Sequence, residues 1–367
     1  MLYYLKNLTS VWGPFRLFEY QTVRAVLAGA TALVIGFIIA PFVLEKLRNL
    51  RHSERDLNGI VKDGGKVPVM GGFIVLIPAL ISSLLLVRMN LWVVVALIIY
   101  LGMSLVGFFD DYLKVKKNNS DGISGRVKLL GQGACALIAM TVLFVASDEK
   151  TFAASLEVWV PFLKTAVLMP DSFPLWGGIL LIVAFFTLVT VSSSNAVNLT
   201  DGLDGLAIGC VITTTLTFGV IAYLSGHVHF AKYLQIGYVP GGGELAVLCS
   251  ALLGGSLVFL WYNAEPAEVY MGDIGSLGLG GVIGAIAFMT HQPFLLIVAG
   301  GVFVAEALSV MIQVVWFKHT GGRRVFLMSP IHHHFQKKGW RVSKIVIRFW
   351  LLSLLCGIAS LITLKLR

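Results

Sequence analysis

The chain has little charge. Only 13% of its 367 residues are Asp, Glu, Lys or Arg, against about 25% in soluble globular proteins, which argues against an ordinary water-soluble fold. Cysteine is scarcer still. Cys135, Cys210, Cys249 and Cys356 all fall inside apolar runs without metal-site spacing, so neither a disulfide framework nor a cysteine metal cluster organises the chain. No Gly-x-x-x-x-Gly-Lys-Ser/Thr loop occurs, which argues against an ATP-driven pump. No internal repeat is visible. The first residues lack a secretory pattern, because Lys6 leads into a polar, aromatic stretch with Pro14 and not into an apolar core.

What is abundant is apolar sequence. Residues of the apolar set make up 57% of the chain and come in runs of about twenty, enough to cross a hydrocarbon core of about 30 Å. Ten spans are predicted: 22–44, 68–87, 91–109, 128–147, 175–194, 206–225, 244–262, 275–291, 294–317 and 344–364. The expected fold is an all-α polytopic integral membrane protein, with residues 1–367 forming a single transmembrane helical bundle.

The formal charge of +9 sits mostly between alternate spans and implies no nucleic acid. The first connection holds Lys46, Arg48, Arg51, Arg55, Lys62 and Lys66. The third, with its border, holds Lys114, Lys116, Lys117, Arg126 and Lys128, and the ninth Lys318, Arg323, Arg324, Lys337, Lys338, Arg341 and Lys344. The intervening connections carry only Arg88, Lys150, Lys164 and Lys232. The positive-inside rule therefore predicts cytoplasmic odd-numbered connections and both termini on the periplasmic side.

That count uses no chemistry, yet it sorts the chemistry. Asp110-Asp111 follows the third predicted span, Asn195-Ala-Val-Asn-Leu-Thr-Asp-Gly-Leu-Asp-Gly-Leu-Ala207 the fifth, Asp273 the seventh and His332-His333-His334 the ninth. All lie on the side predicted to be cytoplasmic, as one composite site would require. Polar groups at a membrane boundary are costly to desolvate and tend to mark function.

Each motif also has a plainer reading. Asp110 and Asp111 repel one another, and a divalent cation or a proton would relieve that repulsion. The alternative is ordinary solvation of a helix end. Asp201 and Asp204 are three apart, so a helical turn would place them on one side, while Gly202 and Gly205 permit close approach or simply make turns. Asp273 reads as a helix cap or as a hard-cation ligand. Three consecutive histidines cannot all face one point on a helix, so zinc is a poor reading. Imidazole donors to phosphate, or a general acid or base, fit better, and a solvated basic loop is the plain alternative. Lys128 either holds a pyrophosphate or marks the span boundary. Glu306, inside a span, is either paired within the bundle or placed at a helix break.

Carboxylates suited to Mg²⁺, basic side chains, amides and glycines at a membrane surface fit transfer of a phosphoryl group from a soluble anionic donor to a lipid acceptor. At this point the residues resemble a known family. Pro68-Val-Met-Gly-Gly72, Asp110-Asp-Tyr-Leu-Lys-Val115, the Asn195–Ala207 run, Met271-Gly-Asp-Ile-Gly-Ser276 and Pro330-Ile-His-His-His-Phe335 are similar to motifs of the phospho-N-acetylmuramoyl-pentapeptide transferases of bacterial cell-wall synthesis. These belong to the wider polyprenyl-phosphate N-acetylhexosamine-1-phosphate transferases.

The resemblance implies transfer of phospho-MurNAc-pentapeptide from UDP-MurNAc-pentapeptide to undecaprenyl phosphate at the bacterial inner membrane, with Mg²⁺, giving lipid I and UMP. It implies Asp273 as Mg²⁺ ligand, with Asp110 and Asp111 as an acidic pair that are further candidate ligands. Asp110 is the better candidate to deprotonate or orient the lipid phosphate. It places Asn198, Asp201, Lys114, Lys128 and His332 around the polar site. Asp204, Gly202, Leu203 and Tyr270 are implied to form a uridine pocket, and Asn195, Asn263, His333 and His334 join them as substrate contacts.

The sequence departs from the family pattern at three places. Tyr270 stands where Phe is common, and Ser193-Ser194 replaces a small-Gly pair. In Gly64-Gly-Lys-Val-Pro-Val-Met70 the lysine is displaced and two threonines are valine, so either Lys66 or Lys62 stands for the family's nucleotide-contacting lysine. A sister transferase using UDP-GlcNAc and, from another class, a secondary transporter are the competing readings. Transporters usually place their acids near mid-bilayer, often in inverted repeats. The glycine-rich face Gly275–Gly281 permits close helix packing within or between chains and motivates an expected homodimer.

Overall fold

The computed structural model describes residues 1–49, 67–117, 122–161, 167–168 and 175–365. Lys62 and Lys66 lie outside them. Two short 3-10 helices (Leu2–Leu8 and Gly13–Glu19) precede α1 (Gln21–Arg48), α2 (Phe73–Leu86), α3 (Leu91–Lys117), α4 (Gly125–Ala146) and α5 (Glu149–Ser155). A two-residue antiparallel pair follows, β1 (Glu157–Val158) with β2 (Val167–Leu168). Then come α6 (Leu175–Thr200), α7 (Leu206–Ser225), α8 (Val228–Leu234), α9 (Glu244–Asn263), α10 (Gly272–Met289), α11 (Leu295–Ala299), α12 (Gly301–His319), α13 (Ile331–Lys337) and α14 (Val342–Thr363).

Among the described residues nine helices are long and apolar enough to cross a membrane: α1, α3, α4, α6, α7, α9, α10, α12 and α14. This is a polytopic, essentially all-α membrane protein. The second predicted span is a shorter apolar helix, α2, of 14 residues and about 21 Å. Its predicted first residues, Pro68–Gly72, form extended and turn backbone that pairs with another segment: Tyr270 N–H donates to Pro68 C=O, Gly71 N–H to Tyr270 C=O and Gly72 N–H to Met271 C=O.

Two other boundaries move for identifiable reasons. The third span is predicted to stop at 109, yet α3 runs to Lys117. Asp110 and Lys114 form an i,i+4 ion pair, and Lys114, Lys116 and Lys117 place positive charge in the last turn, both of which favour helix. The ninth predicted span is two helices, α11 and α12, broken at Gly300-Gly301.

α10 is the axis of the packing. Buried over 94% of its length, against 22% for α1, it lies between α3 and α6. Its glycines allow that approach: a Cβ on Gly280 would meet the Ser193 carbonyl, and one on Gly284 the α6 backbone at Thr190. Gly275–Gly281 is wholly buried inside the chain, so this face lends no support to a dimer. α9 packs on α1, α2 and α7, and α7 on α14.

At the end of α9 remote from Asn263, Arg24 of α1 makes a bidentate ion pair with Glu244, both bonds at 2.6 Å. Arg88 N–H adds a third bond to the same carboxylate at 2.9 Å.

Candidate active site

Four helices bring their polar ends together. Asp110, Asp111 and Lys114 lie near the C-terminus of α3, Lys128 in the first turn of α4, Asn198 near the end of α6, and Asp273 in the first turn of α10. Oxygen atoms of Asp110, Asp111 and Asp273 all lie within 4.8 Å of one another, the one such group of potential metal ligands among the described residues.

The cluster closes because α3 and α10 touch backbone to side. Gly107, one turn before Asp111, faces the Asp273 carbonyl so closely that a Cβ there would overlap it. Gly272 has φ +72°, a left-handed conformation that glycine adopts without steric cost, and it turns the chain into α10.

Lysines and amides hold the acids. Lys114 Nζ is 2.5 Å from Asp110 Oδ2, 3.0 Å from Asp273 Oδ2 and 3.9 Å from Asp111 Oδ1. Lys128 Nζ is 2.7 Å from Asp273 Oδ2 and 3.7 Å from Asp110 Oδ2. The Asn198 amide donates to Asp273 Oδ1 at 2.7 Å and to Ser276 Oγ at 2.8 Å. Backbone donors complete the set, Ile123 N–H to Asp110 Oδ1 at 2.6 Å and Ile274 N–H to Asp111 Oδ2 at 3.1 Å. Three carboxylates face two ammonium groups, leaving one formal negative charge uncompensated. The all-oxygen donor set suits a hard cation such as Mg²⁺, which takes one or two carboxylates and keeps waters or substrate phosphate in its remaining positions.

The Asn195–Ala207 run divides at Thr200. Its first half is the last turn and a half of α6 and carries Asn195 and Asn198. The Asn195 amide donates to Gln132 Oε1 on α4 and to Val191 C=O, both at 2.8 Å. Its second half is a tight turn, with Gly202 N–H donating to Thr200 C=O and Gly205 at φ +76°. Leu203 is buried in this turn. Asp204 Oδ2 accepts from Ala267 N–H at 3.1 Å, joining the turn to the α9–α10 connection that carries Tyr270.

Asn263 clamps the same two segments. It accepts from Gly205 N–H at 3.0 Å and donates to Val269 C=O at 2.8 Å. Its buried side chain therefore binds the chain itself.

The three histidines diverge, as adjacency on a helix requires. His332 is fully buried beside Glu306 and abuts Gly202. His333 Nδ1 meets Gln336 Oε1 at 2.6 Å. His334 Nδ1 accepts from Leu327 N–H at 3.1 Å, and desolvation together with the Lys338 charge lowers its pKa, which keeps that nitrogen an acceptor. Gln132 and Ser276 were not singled out from sequence. A lone glutamine one turn beyond Lys128 in an apolar run was the available signal for the first.

An apolar multi-helix bundle with acids, lysines and amides gathered at one end defines a membrane-embedded enzyme site for an anionic substrate. Residues 92–291 match the model of glycosyl transferase family 4. Over its full length the chain is 48% identical to the full-length phospho-N-acetylmuramoyl-pentapeptide-transferase of Opitutus terrae. It is likewise 42% identical to that of Syntrophus aciditrophicus and 45% identical to that of Granulibacter bethesdensis, again over whole chains. The chain belongs to glycosyl transferase family 4 and, within it, to the phospho-N-acetylmuramoyl-pentapeptide transferases.

Proposed function

We propose that this enzyme transfers phospho-MurNAc-pentapeptide from UDP-MurNAc-pentapeptide to undecaprenyl phosphate, forming lipid I and UMP. The observation that carries this reading is the meeting of Asp110, Asp111, Asp273, Lys114, Lys128 and Asn198 from four helices. It is the equipment a phosphoryl transfer needs for charge neutralisation and alignment. The names of the full-length relatives state the group transferred, phospho-N-acetylmuramoyl-pentapeptide, and the UDP carrier and lipid acceptor complete our reading.

In this reading an oxygen of the lipid phosphate attacks the β-phosphorus of the donor, and the anhydride bond to the α-phosphate breaks as UMP leaves. Asp110 orients the acceptor phosphate. Lys114 and Lys128 turn from the acids toward the phosphates as these arrive, and Asn198 holds Asp273 in place. Asp273, with Asp110 and Asp111 beside it, would hold Mg²⁺, which supplies Lewis-acid stabilisation of charge on the phosphates. Asp204, Leu203 and Tyr270 receive the uridine, the aromatic ring stacking on the base.

The Lys and Arg distribution supports a site on the cytoplasmic face of the bacterial inner membrane with both termini periplasmic. We take the whole chain to act as one bundle. The deciding experiment is UMP release by the purified protein from undecaprenyl phosphate and UDP-MurNAc-pentapeptide, with and without Mg²⁺. Release that depends on both substrates and the cation is expected. Lipid-linked product from UDP-GlcNAc alone would overturn the assignment.

A further inference from the structure

Glu306 lies in α12, a membrane-spanning helix, and is completely buried. A carboxylate in that position is costly unless something pairs with it. Its partner is His332 of α13, also completely buried, with Nδ1 at 3.1 Å from Glu306 Oε2. The His332 backbone N–H points at the same oxygen from 3.5 Å. On the opposite edge of the ring, Nε2 lies against Gly202, where any Cβ would overlap it. Among the described residues neither ring nitrogen completes a hydrogen bond, and Nδ1, unlike Nε2, has a carboxylate oxygen within ion-pair distance.

We propose that Glu306 is the positioning residue for His332. Its negative charge, 3.1 Å from Nδ1, favours the proton on that nitrogen and so sets the tautomer. Nε2 is thereby left to work at the turn that follows Asn198. A carboxylate that binds one imidazole nitrogen determines what the other can do, in metal sites and in proton-transfer couples alike. Gly202 has a matching part: without a side chain, it lets the ring edge approach the turn.

A buried Glu serving only to hold α12 and α13 together would need neither the free Nε2 nor the gap at Gly202. The inference rests on His332 working in the transfer reaction proposed above, and its test separates the two claims.

The experiment is a double-mutant cycle on the purified full-length protein, assayed by UMP release with undecaprenyl phosphate, UDP-MurNAc-pentapeptide and Mg²⁺. Glu306→Gln is expected to lower kcat by roughly 10- to 100-fold, with KM for the nucleotide sugar changed by less than about twofold. On a His332→Ala background the same substitution should cost less than about twofold, because its route of action is gone. If Glu306→Gln does not fold, Glu306→Asp, which keeps a carboxylate, replaces it in the cycle. It should show a smaller loss beside His332 and none without it. Equal losses on both backgrounds, or full activity in Glu306→Gln, would overturn the inference while leaving the reaction assignment intact. Wild-type turnover by His332→Ala alone would overturn the role of His332 itself.

Discussion

Lys128 Nζ, on α4, lies 2.7 Å from Asp273 Oδ2, on α10. Both helices pack against α3 and α6, and this ion pair ties them together at the polar end of the bundle. Lys128 has a second carboxylate, Asp110, at 3.7 Å. It is therefore placed to leave one acid for a phosphate without leaving the cluster.

Lys128→Ala should reduce turnover by roughly 100- to 1,000-fold, the usual cost of deleting one preorganised charge donor at a phosphoryl or acyl transfer centre. UMP release measures it. Thermal unfolding in detergent should move little, since Lys114 still bridges Asp110 and Asp273. A collapse in thermal stability with unchanged turnover per folded molecule would contradict this.

Asp111→Asn keeps an oxygen for the Ile274 N–H but removes a negative charge from the acid cluster. The concentration of Mg²⁺ needed for half-maximal activity should rise by roughly tenfold. A Mg²⁺ titration of the activity checks it, and an unchanged midpoint would place the cation away from Asp111.

Arg24→Ala leaves Glu244 buried with its bidentate partner gone, the remaining donor being Arg88 N–H. Breaking a buried pair from one side costs about 3–5 kcal/mol, whereas replacing both partners with apolar residues is often neutral. Arg24→Ala should therefore unfold well below the parent temperature, and Arg24→Met with Glu244→Leu should recover most of the loss. Similar unfolding temperatures for the single and double variants would show that the pair does not hold this end of α9.

Gly107→Ala puts a methyl group into the Asp273 carbonyl. Overpacking of this kind typically costs about 1–3 kcal/mol. Here it also displaces the first turn of α10, so activity should fall further than stability does. Parallel unfolding and UMP-release measurements on the same preparation would show the difference.

Much of the architecture was readable in advance, for physical reasons that differ from element to element. α7 spans the predicted 206–225 because glycines mark both of its ends, Gly205 and Gly226. α3 outran its prediction because hydropathy falls at Asp110 while helix-stabilising charge pairs carry the backbone onward. Counting basic residues predicts a shared face for the acids, and Asp110, Asp111 and Asp273 do lie in one cluster. Their convergence depends on glycine-mediated contacts between residues more than 150 positions apart, Gly107 against Asp273 above all. No local pattern encodes such a contact. Asn263, expected at the substrate, also joins Gly205 to Val269, a bridge between distant segments that no local pattern announces. Glu306 was recognisable as costly, but its partner lay 26 residues away, beyond a helix break.

The burial of α10 has a consequence for how the enzyme meets its solvent. Bilayers differ in thickness, and spanning helices answer by tilting. α1, with most of its surface outward, feels such a change directly. α10 presents almost no surface to the acyl chains, so a tilt imposed by the lipid reaches Asp273 through the elements packed around it, α3 and α6 foremost. The carboxylate at the centre of the site is thus mechanically insulated from the membrane that holds one of its substrates.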